Sequence, residues 1–211
     1  MNDARKILIH PTYFPNVAHF TAISQHDTVL EKHDNYQKQT YRTRCHIYSP
    51  NGLQRLSVPI KHTGKPGHQK TKEVVIEDNF DWKKQHWKSL QTAYRTSPFF
   101  EFYEDDFAPF FEKKHRYLID LNMESMALLS ENMQLDMEVI FSENYEPEPD
   151  KYEDLRLLVN AKDRLMTPFE PYTQVFDEKY GFLSNLSSLD LLFNEGPNAA
   201  SYLENQPLSF Q

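Results

Sequence analysis

The first third of the chain alternates short apolar runs with turn-rich and helical patterns. A buried strand is predicted over residues 6–10, because an apolar run there is closed by Pro11. A helix over 16–25 and a second strand over 28–32 follow the turn-rich sequence TYFPN. Strand, helix and strand in so short a stretch predict a βαβ unit. Its first loop, HPTYFP at 10–15, leaves the carboxyl end of a strand, where α/β proteins commonly carry ligand-binding groups.

A period of two marks the next segment as a β-hairpin. Apolar or small residues alternate with polar ones over 42–48, and the alternation returns over 53–60 after the turn-rich sequence SPNG. A four-residue turn at 49–52 would place His46 opposite Arg55. The pattern therefore predicts two antiparallel strands with one apolar and one basic face.

The remainder of the chain is mainly helical in its periodicity. The pattern predicts short strands over 73–77 and 137–141, and no regular structure in the acidic, proline-bearing connector at 143–154. Helices are predicted over 81–97, 99–111, 114–132, 152–165 and 187–195. Together these elements predict an α/β fold, with α+β as the alternative, in which a βαβ unit and a hairpin form a small mixed sheet before a mainly helical half. The predicted domains are an α/β core with a helical portion at 1–145 and a helical extension at 146–211 that packs on the same domain.

Charge is unevenly distributed along the chain. Residues 37–72 hold eight Lys or Arg, three His and no acidic residue, although the formal net charge of the 211 residues is -8. An isolated basic segment on an acidic protein suits a small phosphate or carboxylate better than a nucleic acid. The alternative is a solvated basic loop with no ligand.

The basic face of the hairpin is the first candidate site. Arg42, Arg44 and His46 fall on one face, where planar guanidinium groups could hold phosphate or carboxylate. The alternative is that acidic residues of the helical half, such as those at 101–106, neutralise this face. Lys38 and Lys61 flank the hairpin and could join either arrangement. The basic loop at 61–72 is either a cover for a phosphate-bearing ligand or a mobile solvated loop.

Three polar residues on predicted helices need an interpretation. His86 lies on an apolar stripe and is either a hydrogen-bonded core histidine or a catalytic base. Asn122 faces inward and belongs either to a buried network or to a ligand site. Asp190 follows Ser187 by three residues at a helix start, so helix capping accounts for it.

Several classes of chemistry have no signature here. The nine His form no HExxH or similar cluster, and Cys45 is the single cysteine, so we predict no structural zinc and no internal disulfide. There is no GxSxG, paired-carboxylate or dinucleotide motif, and we predict no cofactor. No apolar run approaches a membrane span, and the apolar run near the start is too short for a signal peptide, so a cytoplasmic protein is expected.

Six segments in the same order resemble the WbqC-like protein family. They are IHPTYFPNVAHF, NYQKQTYRTR, LSVPIK, WKKQHWKSLQTAY with SPFF after it, LIDLNMESM and NLSSLDLLFNEGPNAA. The resemblance covers almost the whole chain. It departs from the family pattern at His10, where Gln is usual.

The resemblance implies a bacterial soluble protein that acts in O-antigen or other surface polysaccharide synthesis. It implies work on nucleotide-activated sugars, including acyl or aminoacyl transfer to an amino sugar. It also implies that residues from distant segments line one pocket. These are His10, Tyr13, Tyr36, Gln37, Arg42, Arg44, His86, Tyr94 and Asn122.

Four functional hypotheses stay open. In the first, a transferase clamps phosphate with Arg42, Arg44 and Lys61 and uses His10 or His86 as general base. The second is nucleotidyl transfer, suggested by the strand, turn and helix around YFPNVAH, although the first histidine and the glycine of the FxPxHxGH loop are missing. The third is a noncatalytic subunit or scaffold of a polysaccharide complex. The fourth, single-stranded nucleic-acid binding through tyrosines at 36, 41 and 48, conflicts with the acidic total charge.

Overall fold

Four short parallel strands form the larger of the two sheets that the structure describes. The computed structural model describes residues 6–61, 69–162 and 168–208. The strands are β1 (Ile7–Ile9), β2 (Thr28–Leu30), β5 (Ile140–Phe141) and β6 (Glu153–Asp154), in the order β5-β2-β1-β6. Every pair is parallel, so all four carboxyl ends lie along one edge of the sheet.

The predicted βαβ unit is confirmed. Helix α1 (Val17–Gln25) connects β1 to β2, and its amino terminus is capped by the Asn16 side chain, which accepts a hydrogen bond from the His19 backbone N–H at 3.0 Å. All three residues of β1 are buried, as expected for a strand covered on both faces.

The hairpin forms a second, two-stranded sheet of its own. Strands β3 (Arg44–Ser49) and β4 (Gly52–Ser57) pair antiparallel, and the predicted pairing of His46 with Arg55 is confirmed. Parallel and antiparallel pairing both occur, and the α/β class is confirmed. Strand β3 starts at Arg44, so Arg42 lies in the preceding turn and the strand alternation does not determine its direction.

Helices pack the second half of the chain around an aromatic core. They are α2 (Trp82–Tyr94), α3 (Phe100–Glu112), α4 (Leu118–Asn132), α5 (Asp177–Tyr180), α6 (Ser188–Glu195) and α7 (Ala199–Glu204). The predicted helices over 81–97, 99–111, 114–132 and 187–195 are thereby confirmed. Phe193 of α6 contacts the rings of Phe100, Phe107 and Tyr94, which joins three helices in one buried cluster.

Two predicted elements are wrong. The helix predicted over 152–165 is replaced, within the described residues 152–162, by β6 and a 3₁₀ helix, Arg156–Val159, because the segment adds to the edge of the parallel sheet beside β1. The last three residues of that prediction, 163–165, lie outside the described residues. The connector at 143–154 therefore ends in a strand, although no regular structure was expected. In place of the strand over 73–77 there is a 3₁₀ helix, Thr71–Glu73, followed by two isolated bridges that link Ile76 to Ile60 and Val75 to Tyr117.

The division into a core at 1–145 and an extension at 146–211 stays a prediction. Residues from the second range complete the sheet of the first, since β6 pairs with β1. Within the described ranges, no helix has the length and apolar character needed to cross a membrane.

Candidate functional site

A polar cleft of about 730 Å³ opens at the carboxyl ends of the parallel strands. His10 directly follows β1, and the segments after β2, β5 and β6 supply the other walls. In open α/β sheets, ligands bind at this edge. The lining residues are His10, Tyr36, Gln37, Lys38, Gln39, Thr40, Tyr145, Pro147, Asp154, Arg156, Leu157, Val159, Asn160 and Lys162.

His10 forms part of the floor of the cleft and is almost fully buried. Its Nδ1 lies 3.5 Å from the backbone oxygen of Glu31, and its Nε2 lies 3.7 Å from Oδ2 of Asp34. Burial and the positive charge of Arg42 lower the pKa of His10 well below its usual value. The imidazole is therefore neutral at pH 7 and can accept a proton or a hydrogen bond.

Arg42 lies behind His10 instead of on an exposed hairpin face. The guanidinium is fully buried and donates a 2.5 Å hydrogen bond from Nη2 to Oδ2 of Asp34. Burial lowers the pKa of Arg42, while the nearby carboxylate of Asp34 opposes that shift. The expected convergence of Arg42 and Arg44 is not formed, because the turn before β3 directs Arg42 into the interior. The alternative, that acidic residues at 101–106 neutralise the basic face, is also wrong for Arg42, because Asp34 neutralises it.

The loop that carries His10 is held in a strained conformation. Phe14 has a φ of 39°, in the left-handed region that non-glycine residues rarely occupy. Its N–H donates to Oγ of Ser125 on α4 at 3.1 Å, and its carbonyl accepts from Oγ of Ser187 at 2.9 Å. Asn122 donates from Nδ2 to the carbonyl of Pro11 at 3.3 Å. Two residues of α4 and the residue that caps α6 thus fix the backbone of the loop at Pro11 and Phe14. Backbone strain held in this way is common at functional sites.

The structure brings four of the predicted site residues together in the cleft and leaves the others elsewhere. Those that line the cleft are His10, Tyr36, Gln37 and Lys38. Those that do not are Tyr13, Arg42, Arg44, Lys61, His86, Tyr94 and Asn122. The predicted roles of both groups, catalytic for His10 and His86 and substrate-binding for the others, stay predictions. Most of the basic loop at 61–72, expected to cover the ligand, lies outside the described residues.

His86 makes contacts typical of a core histidine. Its Nδ1 lies 2.9 Å from the Tyr13 hydroxyl, and the ring packs against Trp82. Burial lowers the pKa of His86 to about 4, although a hydrogen bond with the Ser57 backbone opposes the shift.

Asp190 has a larger structural role than helix capping. Ser187 caps α6 by accepting from the Leu189 N–H at 3.4 Å, but the Asp190 carboxylate is fully buried. It accepts hydrogen bonds from the Tyr94 hydroxyl at 2.8 Å, the Tyr172 hydroxyl at 2.6 Å and the Gln174 amide at 2.8 Å. Burial raises the pKa of Asp190 to about 6, against the effect of these donors. The sequence interpretation missed this network because Tyr172 and Gln174 lie in a segment without periodic structure.

Sequence reasoning also missed the charged residues around His10. Glu31 and Asp34 follow β2, and Arg156 follows β6. Arg156 donates to the Asp154 carboxylate from Nε at 2.8 Å and from Nη2 at 2.6 Å, which raises the pKa of Arg156. Position at the end of a predicted strand was the available signal for Glu31. No comparable signal pointed to Arg156, because a helix was predicted over that segment. The described part of the chain contains no group of three or more His, Cys, Asp or Glu able to hold a metal ion.

The chain is therefore an α/β protein with a polar cleft at the carboxyl edge of a parallel sheet. It belongs to the WbqC-like protein family, whose model matches residues 10–167. A curated relative is the uncharacterized protein Rv1507c of Mycobacterium tuberculosis (strain ATCC 25618 / H37Rv), which is 30% identical over 223 aligned positions that cover 93% of this chain and 96% of the relative. No solved structure matches the chain.

Proposed function

We propose that the protein is an enzyme of surface polysaccharide or nucleotide-sugar synthesis that binds a phosphorylated sugar in the cleft and transfers a group to it. The observation that carries this proposal is the convergence of a neutral His10 with Asp34 and lysine side chains at the carboxyl edge of the sheet. The WbqC-like membership supports the same substrate class through the family resemblance.

The mouth of the cleft is suited to phosphate. Lys38 and Lys162 line it, and neither has an acidic partner within 4 Å among the residues that the structure describes. Arg156, by contrast, is already paired with Asp154. Two unpaired lysines on a protein of net charge -8 favour an anionic ligand at this position.

The floor of the cleft is suited to proton transfer from a sugar hydroxyl or amine. His10 in its neutral form is the proposed general base, and the Asp34 carboxylate, 3.7 Å from its Nε2, would offset part of the cost that burial and Arg42 impose on the imidazolium. The tyrosines at the rim, Tyr36 and Tyr145, offer flat surfaces for a sugar ring or a base.

A thermal-shift experiment with a panel of nucleotide sugars tests the proposal. A ligand at a hundred times its Kd should stabilise the protein by about 2.7 kcal/mol and raise Tm by several degrees. Lys38→Ala should remove most of this shift. Lys84→Ala, an equal charge change on the exposed side of α2, is the matched control and should leave it intact.

His10 variants test whether the side chain at this position hydrogen-bonds the ligand. His10→Gln, which restores the residue usual in the family, should retain ligand stabilisation, whereas His10→Ala should reduce it. The proposal fails if no nucleotide sugar stabilises the wild type, or if Lys84→Ala has the same effect as Lys38→Ala. In that case the noncatalytic scaffold becomes the better hypothesis.

A further inference from the structure

Buried polar atoms without protein partners are concentrated behind the floor of the cleft. Among the residues that the structure describes, Arg42 has no hydrogen-bond partner at Nε or Nη1, although its Nη2 is bonded to Asp34. Oε2 of Glu31, Oδ1 of Asp34 and Nε2 of His19 likewise have no hydrogen-bond partner within the described ranges. Buried polar groups are nearly always satisfied, by protein or by water or ligand, so such a concentration requires an explanation.

These residues, Glu31, Asp34, Arg42 and His19, are called the polar layer here; they are grouped around Arg42, which is bonded to Asp34 and interacts electrostatically with Glu31 and His19. Asp34 links the layer to the cleft, since its Oδ2 lies 2.5 Å from Arg42 and 3.7 Å from the Nε2 of His10. Burial and, after it, the positive charge of Arg42 lower the pKa of both His10 and His19. His10 is therefore the boundary between the layer and the open cleft.

The composition of the polar layer excludes phosphate as its ligand group. Two carboxylates face one guanidinium, so the layer holds an excess of negative charge, and a buried phosphate would add to it at high desolvation cost. The free carboxylate oxygens, by contrast, need donors. A hydroxyl or amino group can donate to them, and a hydroxyl can also accept from Arg42.

We propose that the polar layer recognises a hydroxyl or amino group of the ligand through a bridging water beside His10, while the lysines at the mouth hold its phosphate. The inference rests on the proposed function and adds the orientation of the ligand. Glu31 is the specificity-determining residue, because its Oε1 already accepts from the His33 N–H at 2.6 Å, whereas its buried Oε2 has no hydrogen-bond partner among the described residues and can accept from the bridging water.

Isothermal titration of the full chain with inorganic phosphate, glucose 1-phosphate and glucosamine 1-phosphate tests this orientation. Wild type should bind each sugar phosphate about tenfold or more tightly than inorganic phosphate, as expected for one hydrogen bond to a charged group. Glu31→Gln keeps the acceptor for His33 but replaces Oε2 with a donor. It should reduce the preference for each sugar phosphate over inorganic phosphate, called the sugar advantage, to about threefold or less, and leave the affinity for inorganic phosphate unchanged.

Two further variants make the outcome specific. Lys38→Ala should weaken all three ligands by the same factor, and Glu112→Gln, an exposed control on α3, should change none. If wild type binds none of the three, the inference is wrong, and if no nucleotide sugar stabilises it either, the proposed function fails as well. If phosphate binds but Glu31→Gln retains the full sugar advantage, the proposed function stands, the inference is wrong, and the layer holds only water.

Discussion

Arg42 illustrates how a strand pattern can place a single residue wrongly. The alternation that predicted it on a basic face assumes a strand, yet β3 begins only at Arg44. In the turn before the strand, the side chain is free to point inward, and Asp34 neutralises it there. Single acidic residues such as Asp34 carry no periodic signal, so the pair could not be predicted from the sequence.

Removal of Arg42 should destabilise the fold. Arg42→Ala leaves the buried Asp34 carboxylate without its cation, and loss of one partner of a buried ion pair typically costs about 3–5 kcal/mol. Urea denaturation should show this as a lower midpoint. Arg55→Ala on the exposed face of the hairpin is the control and should change stability by less than about 0.5 kcal/mol.

A second substitution tests the cause of that loss. Asp34→Asn in the Arg42→Ala background removes the unpaired charge and should recover part of the lost stability. No recovery would mean that packing around the guanidinium, and not charge, dominates the effect.

The Asp190 carboxylate should make stability depend on pH. Its pKa is about 6 in the fold against 3.8 for the free group, so the folded state binds the proton more tightly than the unfolded state. The resulting stability is fully present below about pH 4 and is lost as pH rises through 6. The difference corresponds to about 3 kcal/mol.

Asp190→Asn isolates this contribution. Buried His19 and His86 act in the opposite direction, because their pKa values are lowered to about 3 and 4 and they oppose folding at acid pH. Wild type and Asp190→Asn both retain these histidines. The difference in unfolding free energy between the two proteins should therefore change between pH 4 and 6 and be constant above 7. A difference that does not vary with pH would contradict the raised pKa.

At the scale of elements, periodic segments could be predicted and edge segments could not. Helices α2, α3 and α4 have apolar stripes that face the core, and the pattern located each within a few residues. Strand β6 has two exposed acidic residues, so its pairing with β1 depends on tertiary structure alone. The wall of the cleft that follows β6 was therefore missed, whereas the loop after β1, predicted as a ligand-binding loop, contributes His10 to the cleft.

The end of α6 should depend on Gly196. This residue has a φ of 53°, and a Cβ there would lie 2.6 Å from the Phe99 ring. Gly196→Ala should lower the unfolding free energy by about 2 kcal/mol or more, from backbone strain and overpacking together.

Gly52→Ala serves as the comparison for this substitution. Gly52 has a φ of 88° but no atom within 4 Å of the added carbon, so backbone strain alone should lower the unfolding free energy of Gly52→Ala. Equal losses for the two substitutions would show that the Phe99 ring moves aside freely.

At the scale of the molecule, charge and topology act on the same region. The protein is acidic overall, while Lys38 and Lys162 at the cleft mouth have no acidic partner in the described part of the chain. Ligand attraction should therefore weaken as salt screens these two lysines. The sequence revealed the segregated charge, but the contribution from Lys162 required the fold.

The order in which the chain is synthesised limits when the cleft can exist. Strands β1 and β2 are complete by residue 30, but β6 and the 3₁₀ helix that walls the cleft come from residues 153–159, and Ser187 holds the Phe14 carbonyl. A chain leaving the ribosome therefore carries His10 long before its surroundings are made. Ligand cannot guide the early steps of folding and can bind only the finished protein.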